Sequence, residues 1–336
     1  MRLVHEKCGS LEQGVKENQM IVVRISHGLG NQMYQYALLL SLKKIYKDID
    51  IKIDTNHYEK DKSHTGYILD KVFGIKECVA SEEECRKVYS GCRYYKGFGR
   101  EGLSFQPLRM LYRRVYSKIG NLASSGNRSH MIHGYKFNIF NPEVFNLDPK
   151  RDWYLSGHWQ NLQYFDWNKE ELKKVFDFSL DLDEGKKELV AEMLSCNSVS
   201  VHVRKGDYTG SGFDLCGDEY YHEAIQKIKE RVEDCRFYFF SDDAEYVKAH
   251  FGNVENSVIV SNGADEVEAE LMMEKCRHHI IPNSTFSFWP AYLNESENSV
   301  TVCPQYSLSD NGKMYRADYP KNWIRIENAR GKQGLR

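Results

Sequence analysis

Between residues 198 and 303 short strand-like runs alternate with helix-like stretches, and this alternation constrains the fold more than any other feature of the chain. The runs are SVSVHVR (198–204), CRFYFFS (235–241), NSVIVS (256–261), RHHIIP (277–282) and NSVTVC (298–303). YYHEAIQKIKERV (220–232) and EVEAELMMEKC (266–276), with helical spacing, lie among them. Strand alternating with helix predicts an α/β fold, with parallel strands and helices on both faces of the sheet. Ligands of such sheets sit beyond the carboxyl ends of the strands, so chemistry is expected in the loops that follow them.

The first half opens in the same way. MIVVRI (20–25) reads as a buried strand, SHGLGNQ as a loop, and MYQYALLLSLKKIY as a helix ending in lysines. IDIKID (49–54) alternates as a second strand. A chain of 336 residues exceeds what one core usually serves, so two domains are expected, with a cleft between them. The polar DLDEGKK stretch near residue 183 divides them into residues 20–175 and 184–330. From about 78 to 150 no element pattern is legible. Arg93, Lys96, Arg100, Arg109, Arg113, Arg114 and Lys118 accumulate there against Glu101 alone. The run reads either as a solvated basic helix face or as a peripheral contact of Arg109, Arg113, Arg114 and Lys118 with an anionic membrane.

A net charge of -2 and 28% charged residues argue against a nucleic-acid partner. No run approaches the roughly 20 apolar residues that span a bilayer, and residues 1–19 lack a signal-peptide core, so a cytoplasmic location is expected, with the inner membrane face as its peripheral variant. Nine cysteines without a C-x-x-C pair suit reduced thiols. The seven-residue spacing of Cys78, Cys85 and Cys92 is not that of structural zinc, and no metal site is expected.

Four loops carry candidate chemistry. In Ser26-His27-Gly28-Leu29-Gly30-Asn31-Gln32, Gly28 and Gly30 read either as an anion-binding approach to a helix N-terminus or as a tight turn. Met33 stands where a dinucleotide fingerprint needs its third glycine. In Ser200-Val201-His202-Val203-Arg204-Lys205-Gly206-Asp207, strand period puts Ser200, His202 and Arg204 on one face. Arg204 offers a planar fork to phosphate oxygens, Lys205 adds a point charge, and Asp207 orients or partly neutralises the pair; the plain reading is a surface ion pair. Ser241, Asp242 and Asp243 follow a strand and can meet a nucleotide, bind metal, or cap the next helix. The fourth, 276–289, runs from a strand through Asn283, Ser284, Thr285 and Phe286 into a helix whose N-terminus can bind phosphate.

Together, GLGNQMYQYA (28–37), HVRKGDY (202–208), FYFFSDD (237–243) and CRHHIIPNSTFSFWPAYLN (276–294) resemble the α-1,2-fucosyltransferases, glycosyltransferase family 11, in order and over most of the chain. The resemblance implies a GT-B-like pair of Rossmann-type domains, an acceptor-side N-terminal one and a donor-binding C-terminal one. It implies inverting transfer of fucose from GDP-fucose to the 2-hydroxyl of a terminal galactose on an oligosaccharide or lipid-linked glycan, without cofactor or required metal, in surface polysaccharide synthesis. By the same resemblance Arg204 contacts the donor pyrophosphate with His202 beside the nucleotide, and Asn31 approaches the reacting carbon. Ser284, Thr285 and Phe286 form a second donor loop, and Gly28, Gly30, Lys205, Asp207, Ser241, Asp242, Asp243 and Asn283 line the donor. The sequence departs from the family pattern at His27, more often glycine, and at Ala269, commonly aspartate, which Glu268 and Glu270 flank.

Three rival readings stand beside this one. A nicotinamide-dependent oxidoreductase would use the Gly28-x-Gly30 loop. A metal-dependent transferase would use Asp242 and Asp243, or the triplets at 48–50 and 181–183. A non-catalytic sugar-binding protein would bind the same donor without turnover.

Overall fold

The computed structural model describes residues 19–59, 66–88, 129–134, 138–178, 181–260 and 266–328. The chain divides into two compact units, one of residues 1–28, 34–70 and 75–159, the other of 29–33, 71–74 and 160–336. Arg109, Arg113, Arg114 and Lys118, the membrane-contact candidates, lie outside the described residues.

The first unit is built on β1 (Met20–Arg24), β2 (Asp50–Asp54), β3 (Ser129–Gly134) and β4 (Asp152–Gly157). They pair in parallel in the order β2-β1-β4-β3. Ile21, Val22 and Val23 are fully buried, as a strand covered on both faces requires. Helix α1 (Leu29–Ile45) follows β1, and its first turn counts with the second unit. Short helices α2 (Leu69–Phe73) and α3 (Glu82–Val88) lie between β2 and β3.

The second unit carries α4 (Lys169–Val175), α5 (Glu184–Ser195), β5 (Asn197–Val203), α6 (Asp218–Lys229), β6 (Cys235–Ser241), α7 (Ala244–Phe251) and β7 (Ser257–Ile259). These are followed by α8 (Glu266–Lys275), β8 (His278–Ile280), α9 (Thr285–Leu293) and β9 (Thr301–Pro304), then the antiparallel pair β10 (Tyr306–Asp310) and β11 (Lys313–Arg316), and β12 (Ile324–Ile326). Six strands form a sheet in the order β12-β9-β8-β5-β6-β7, every pairing parallel. The α/β class read from the strand and helix alternation is the one observed.

One face of this sheet is apolar. Val199, Val201 and Val203 of β5 pack with Tyr221, Ala224 and Ile228 of α6 and with Val247 and Phe251 of α7. The opposite face carries Ser198, Ser200 and His202, all buried. Its polar atoms are largely satisfied inside the protein: Ser200 Oγ bonds His279 Nδ1 at 2.8 Å, and Ser198 Oγ accepts from Arg277 N–H at 3.0 Å. A polar strand face therefore does not by itself mark a ligand site here, and Ser200 serves the sheet.

Residues 160–183 count with the second unit, although the polar stretch near 183 reads as a boundary. The reason is an aromatic cluster: Phe165 and Phe176 both meet Trp289 of α9, at 5.5 and 5.2 Å between ring centroids. Lys169 and Glu295 form an ion pair beside it, and Tyr292 donates to Asp166 at 2.8 Å. Burial of such rings outweighs a charged segment downstream as a determinant of which core a stretch joins.

Candidate active site

The site in the second unit grows from the carboxyl end of β5. The strand delivers Arg204 to the sheet rim with its side chain 26% exposed. Two carboxylates hold the guanidinium. Asp207 Oδ1 accepts from Nε at 3.0 Å and lies 2.9 Å from Nη2, and Asp242 Oδ2 lies 3.2 Å from Nε. Tyr208 places its ring 5.7 Å from the guanidinium carbon.

Asp242 does more than pair with arginine. Its Oδ1 accepts from the Lys205 backbone N–H at 2.9 Å, so one carboxylate fixes both the turn and the charged group on it. Gly206 must be glycine for this, because a Cβ there would stand 2.5 Å from Asp242 Oδ2. Lys205 does not join Arg204. Its ammonium lies 3.5 Å from the Cys216 carbonyl, 4.0 Å from Asp214 and 4.5 Å from the Tyr246 ring centre. There it borders a cavity of ≈ 380 Å³ lined also by Asp218, Glu219, Glu223 and Glu327.

Ser241 and Asp243 serve the backbone. Ser241 Oγ donates to the Val203 carbonyl at 2.7 Å, tying β6 to β5, and Asp243 caps α7 by accepting from Tyr246 N–H at 2.9 Å. Of the two acids after β6, only Asp242 reaches Arg204. The other acidic triplets are likewise engaged: Asp50 pairs with Lys52 at 3.4 Å, and Asp183 caps α5 through Lys186 N–H at 3.0 Å.

The loop after β8 meets this rim. Ser284 caps α9, its Oγ accepting from Phe286 N–H at 3.3 Å, and Phe286 lies 5.1 Å from the His202 ring. His202 is buried, and its Nδ1 has no hydrogen-bond partner among the described residues. Burial, with the Arg204 charge adding to it, pulls this imidazole down to about 3, so it is neutral at ordinary pH. Asn283 is committed elsewhere: its amide donates to the carbonyls of Phe213 and Ser307, both at 2.9 Å. It staples three segments and presents no amide hydrogen to a ligand.

Gly30 belongs with this helix. A Cβ on it would meet the Thr285 carbonyl oxygen at 2.5 Å, and its own carbonyl accepts from Trp289 Nε1–H at 2.9 Å. Its lack of a side chain is thus used for close packing of α1's first turn on α9. Gly28 is the residue preceding α1. Asn31, one residue past Gly30, accepts from Gln160 Nε2–H at 2.8 Å through its Oδ1.

Sequence reasoning did not single out Tyr208. Burial raises its phenol, and the Ser284 hydroxyl beside it only partly offsets that rise. It bridges the two loops, and its position within HVRKGDY is the signal that could have flagged it. The acids flanking Ala269 also resolve. Glu268 pairs with Lys186 at 2.9 Å, whereas both carboxyl oxygens of Glu270 are buried without a partner among the described residues, and that burial drives its acid well above the ordinary carboxylate range.

A guanidinium, a neutral buried imidazole and a capped helix N-terminus thus stand at adjoining strand ends of the parallel sheet. The family model for glycosyl transferase family 11 matches residues 130–327, and the chain belongs to that family. It is a glycosyltransferase. It is 29% identical over 318 residues to an alpha-1,2-colitosyltransferase of Escherichia coli, covering 92% of this chain and 99% of that one. It is 24% identical to the O-antigen biosynthesis glycosyltransferase WbnK of Escherichia coli, over 86% of this chain and 95% of that one. A mouse galactoside alpha-(1,2)-fucosyltransferase 1 is 25% identical over 56% of this chain and 59% of its own. A solved fucosyltransferase NodZ from Bradyrhizobium overlaps 91% of this chain and 100% of its own with 14% identity and a TM-score of 0.48. The family match, not that loose overlap, carries the assignment.

No described helix is long and apolar enough to cross a membrane. Among the described residues no group of three or more His, Cys, Asp or Glu side chains is disposed to hold a metal ion.

Proposed function

We propose that the chain transfers L-fucose from GDP-fucose, with inversion, to the 2-hydroxyl of a terminal galactose on a glycan destined for surface polysaccharide. The observation that carries this reading is Arg204, held by Asp207 and Asp242 beside the buried, unpartnered Nδ1 of His202. As the glycosidic bond breaks, negative charge builds on the departing diphosphate while the sugar becomes oxocarbenium-like. A preplaced guanidinium stabilises that charge without reorganising, and fixed charge aimed at developing charge is usually the largest single contribution. The backbone N–H groups at the start of α9 supply further donors. Asn31 is assigned to the sugar side of the reaction, and Lys205 to the rim beyond the phosphates.

The similarity to a colitosyltransferase supports a second donor, the GDP-activated form of colitose, on the same phosphate-binding machinery. GDP release measured with GDP-fucose and with GDP-colitose, in the presence of a β-galactoside, tests both. Arg204→Ala is expected to lower turnover by about 10²–10³-fold. Turnover near wild type in that variant would refute the assignment. Full rate in EDTA is expected, and a loss that Mg²⁺ or Mn²⁺ restores would contradict the metal-free reading.

A further inference from the structure

The helical turn Gly206–Tyr208, just past Arg204, ends on a side chain whose hydroxyl the proposed function leaves unused. Backbone bonds hold the residue on both sides. Its N–H donates to the Lys205 carbonyl at 2.9 Å, and its carbonyl accepts from the N–H of Ser211 at 2.9 Å and from that residue's hydroxyl at 2.7 Å. The ring lies 5.7 Å from the Arg204 guanidinium carbon and 5.3 Å from the Phe213 ring. Tyr208 is thereby fixed without help from its own hydroxyl, and it is half-buried.

Among the described residues that hydroxyl has one hydrogen-bonding neighbour, Ser284 at the N-terminus of α9. Ser284 Oγ already accepts from the Phe286 N–H at 3.3 Å. Two hydroxyls that share one hydrogen bond leave one proton over. Ser284 is 6% exposed, so a proton left on the serine would be orphaned inside the protein, whereas one left on the half-buried tyrosine faces the rim. The serine therefore donates to the tyrosine, and the phenol proton is left for an acceptor that the protein does not supply. Burial pushes the phenol above its ordinary value, with Ser284 and the Arg204 charge offsetting only part of the rise, so that proton stays in place at neutral pH.

We propose that the Tyr208 hydroxyl donates a hydrogen bond to a phosphate oxygen of the nucleoside diphosphate at Arg204, as a third donor beside the guanidinium and the N-terminus of α9. The proposal rests on the reading of that rim as a diphosphate site. The bonds then run in one direction, from Phe286 N–H to Ser284, from Ser284 to Tyr208 and from Tyr208 to the anion, and hydroxyls aligned in this way polarise one another. A donor to a charged oxygen strengthens as charge collects there, so the hydroxyl serves the departing phosphate as well as the bound one.

Calorimetric binding of GDP and of inorganic pyrophosphate to the full chain tests it. Tyr208→Phe removes the hydroxyl and keeps the ring beside Arg204, so the melting temperature is expected to hold while both ligands bind about 5- to 30-fold more weakly. GDP affinity within twofold of wild type would overturn the proposal. A loss confined to GDP would do the same, because it would put the hydroxyl on the nucleoside. A tyrosine that merely props Ser284 is told apart by 3,5-difluorotyrosine at position 208, whose more acidic phenol still accepts from the serine once ionised but can no longer donate. Its GDP affinity relative to wild type is expected to fall as pH rises through that ionisation, followed by ¹⁹F NMR. A ratio that stays flat across the ionisation would leave Tyr208 a strut and sink the assignment. Wild-type chain that binds pyrophosphate but not GDP would count against the proposed function and leave the pyrophosphate arm to judge the hydroxyl, whereas binding of neither would overturn both.

Discussion

Asp207 makes the shorter contacts with Arg204, yet Asp242 is expected to matter more. The Asp207 side chain is 67% exposed and that of Asp242 24%, so water screens the first pair more than the second. In Asp242→Asn the Lys205 N–H holds the amide oxygen at the Oδ1 position. The amide NH₂ is then left where Oδ2 stood, 3.2 Å from Arg204 Nε, donor facing donor. A hydrogen bond to a charged group is worth about 1.5–3 kcal/mol, and partial exposure reduces that to roughly 1–2 kcal/mol. The expected loss in kcat/KM for the GDP-sugar is about 5- to 30-fold, with the acceptor KM unchanged. Asp207→Asn is expected to lose less than about threefold, as exposed pairs do. Calorimetric GDP binding and initial rates, with melting temperatures as a folding control, measure both. An Asp207→Asn defect equal to or larger than that of Asp242→Asn would refute the reasoning, because geometry rather than burial would then rank the two carboxylates.

Three further outcomes follow from buried groups. Gly30→Ala places a methyl 2.5 Å from a backbone oxygen that has no rotamer to yield, so a loss of about 1–3 kcal/mol is expected. Thermal unfolding reads it, and an unchanged midpoint would mean that the two helix ends move apart freely. Glu270→Met replaces a buried, unpartnered carboxyl by an apolar side chain of similar length, and a higher melting temperature is expected; a fall would show that the carboxyl has a partner in solution. His202 and His279 are held at about 3, and His158 and His278 at about 4, all by burial first. The unfolded chain therefore takes up these protons before the native one, and stability is expected to fall as pH drops from about 6.5 towards 4. His202→Phe should flatten that slope in urea titrations, and an unchanged slope would contradict the assignment.

What the sequence made legible was local. The run MIVVRI and the alternation from 198 to 303 place β1 and β5 to β9 within a few residues, because β-branched and aromatic runs between amphipathic stretches have few other uses. SHMIHG and DWYLSG, which form β3 and β4, carry too many polar and small residues to stand out, and their strand character comes from pairing, β4 with β1 and β3 with β4. The same rule pointed to the loops after β5, β6 and β8, and these do converge on one rim. The division of labour within them was not. Ser241, Asp242 and Asp243 are consecutive polar residues, yet one ties two strands, one grips Arg204 and one caps a helix. Only the register of β6 against β5 and the direction of α7 separate those roles, and neither is written in the triplet. The same holds for Gly30, whose spacing from Gly28 suggests a phosphate cradle while its neighbour is the Thr285 carbonyl. A glycine is demanded equally by an approaching anion and by an approaching backbone, so composition alone cannot tell them apart. For a transferase this matters in practice: residues that hold the machinery together resemble, in sequence, the residues that perform the chemistry. In this rim Asn283, Ser241 and Asp243 have their side chains engaged by the protein itself, whereas the buried Nδ1 of His202 has no hydrogen-bond partner among the described residues.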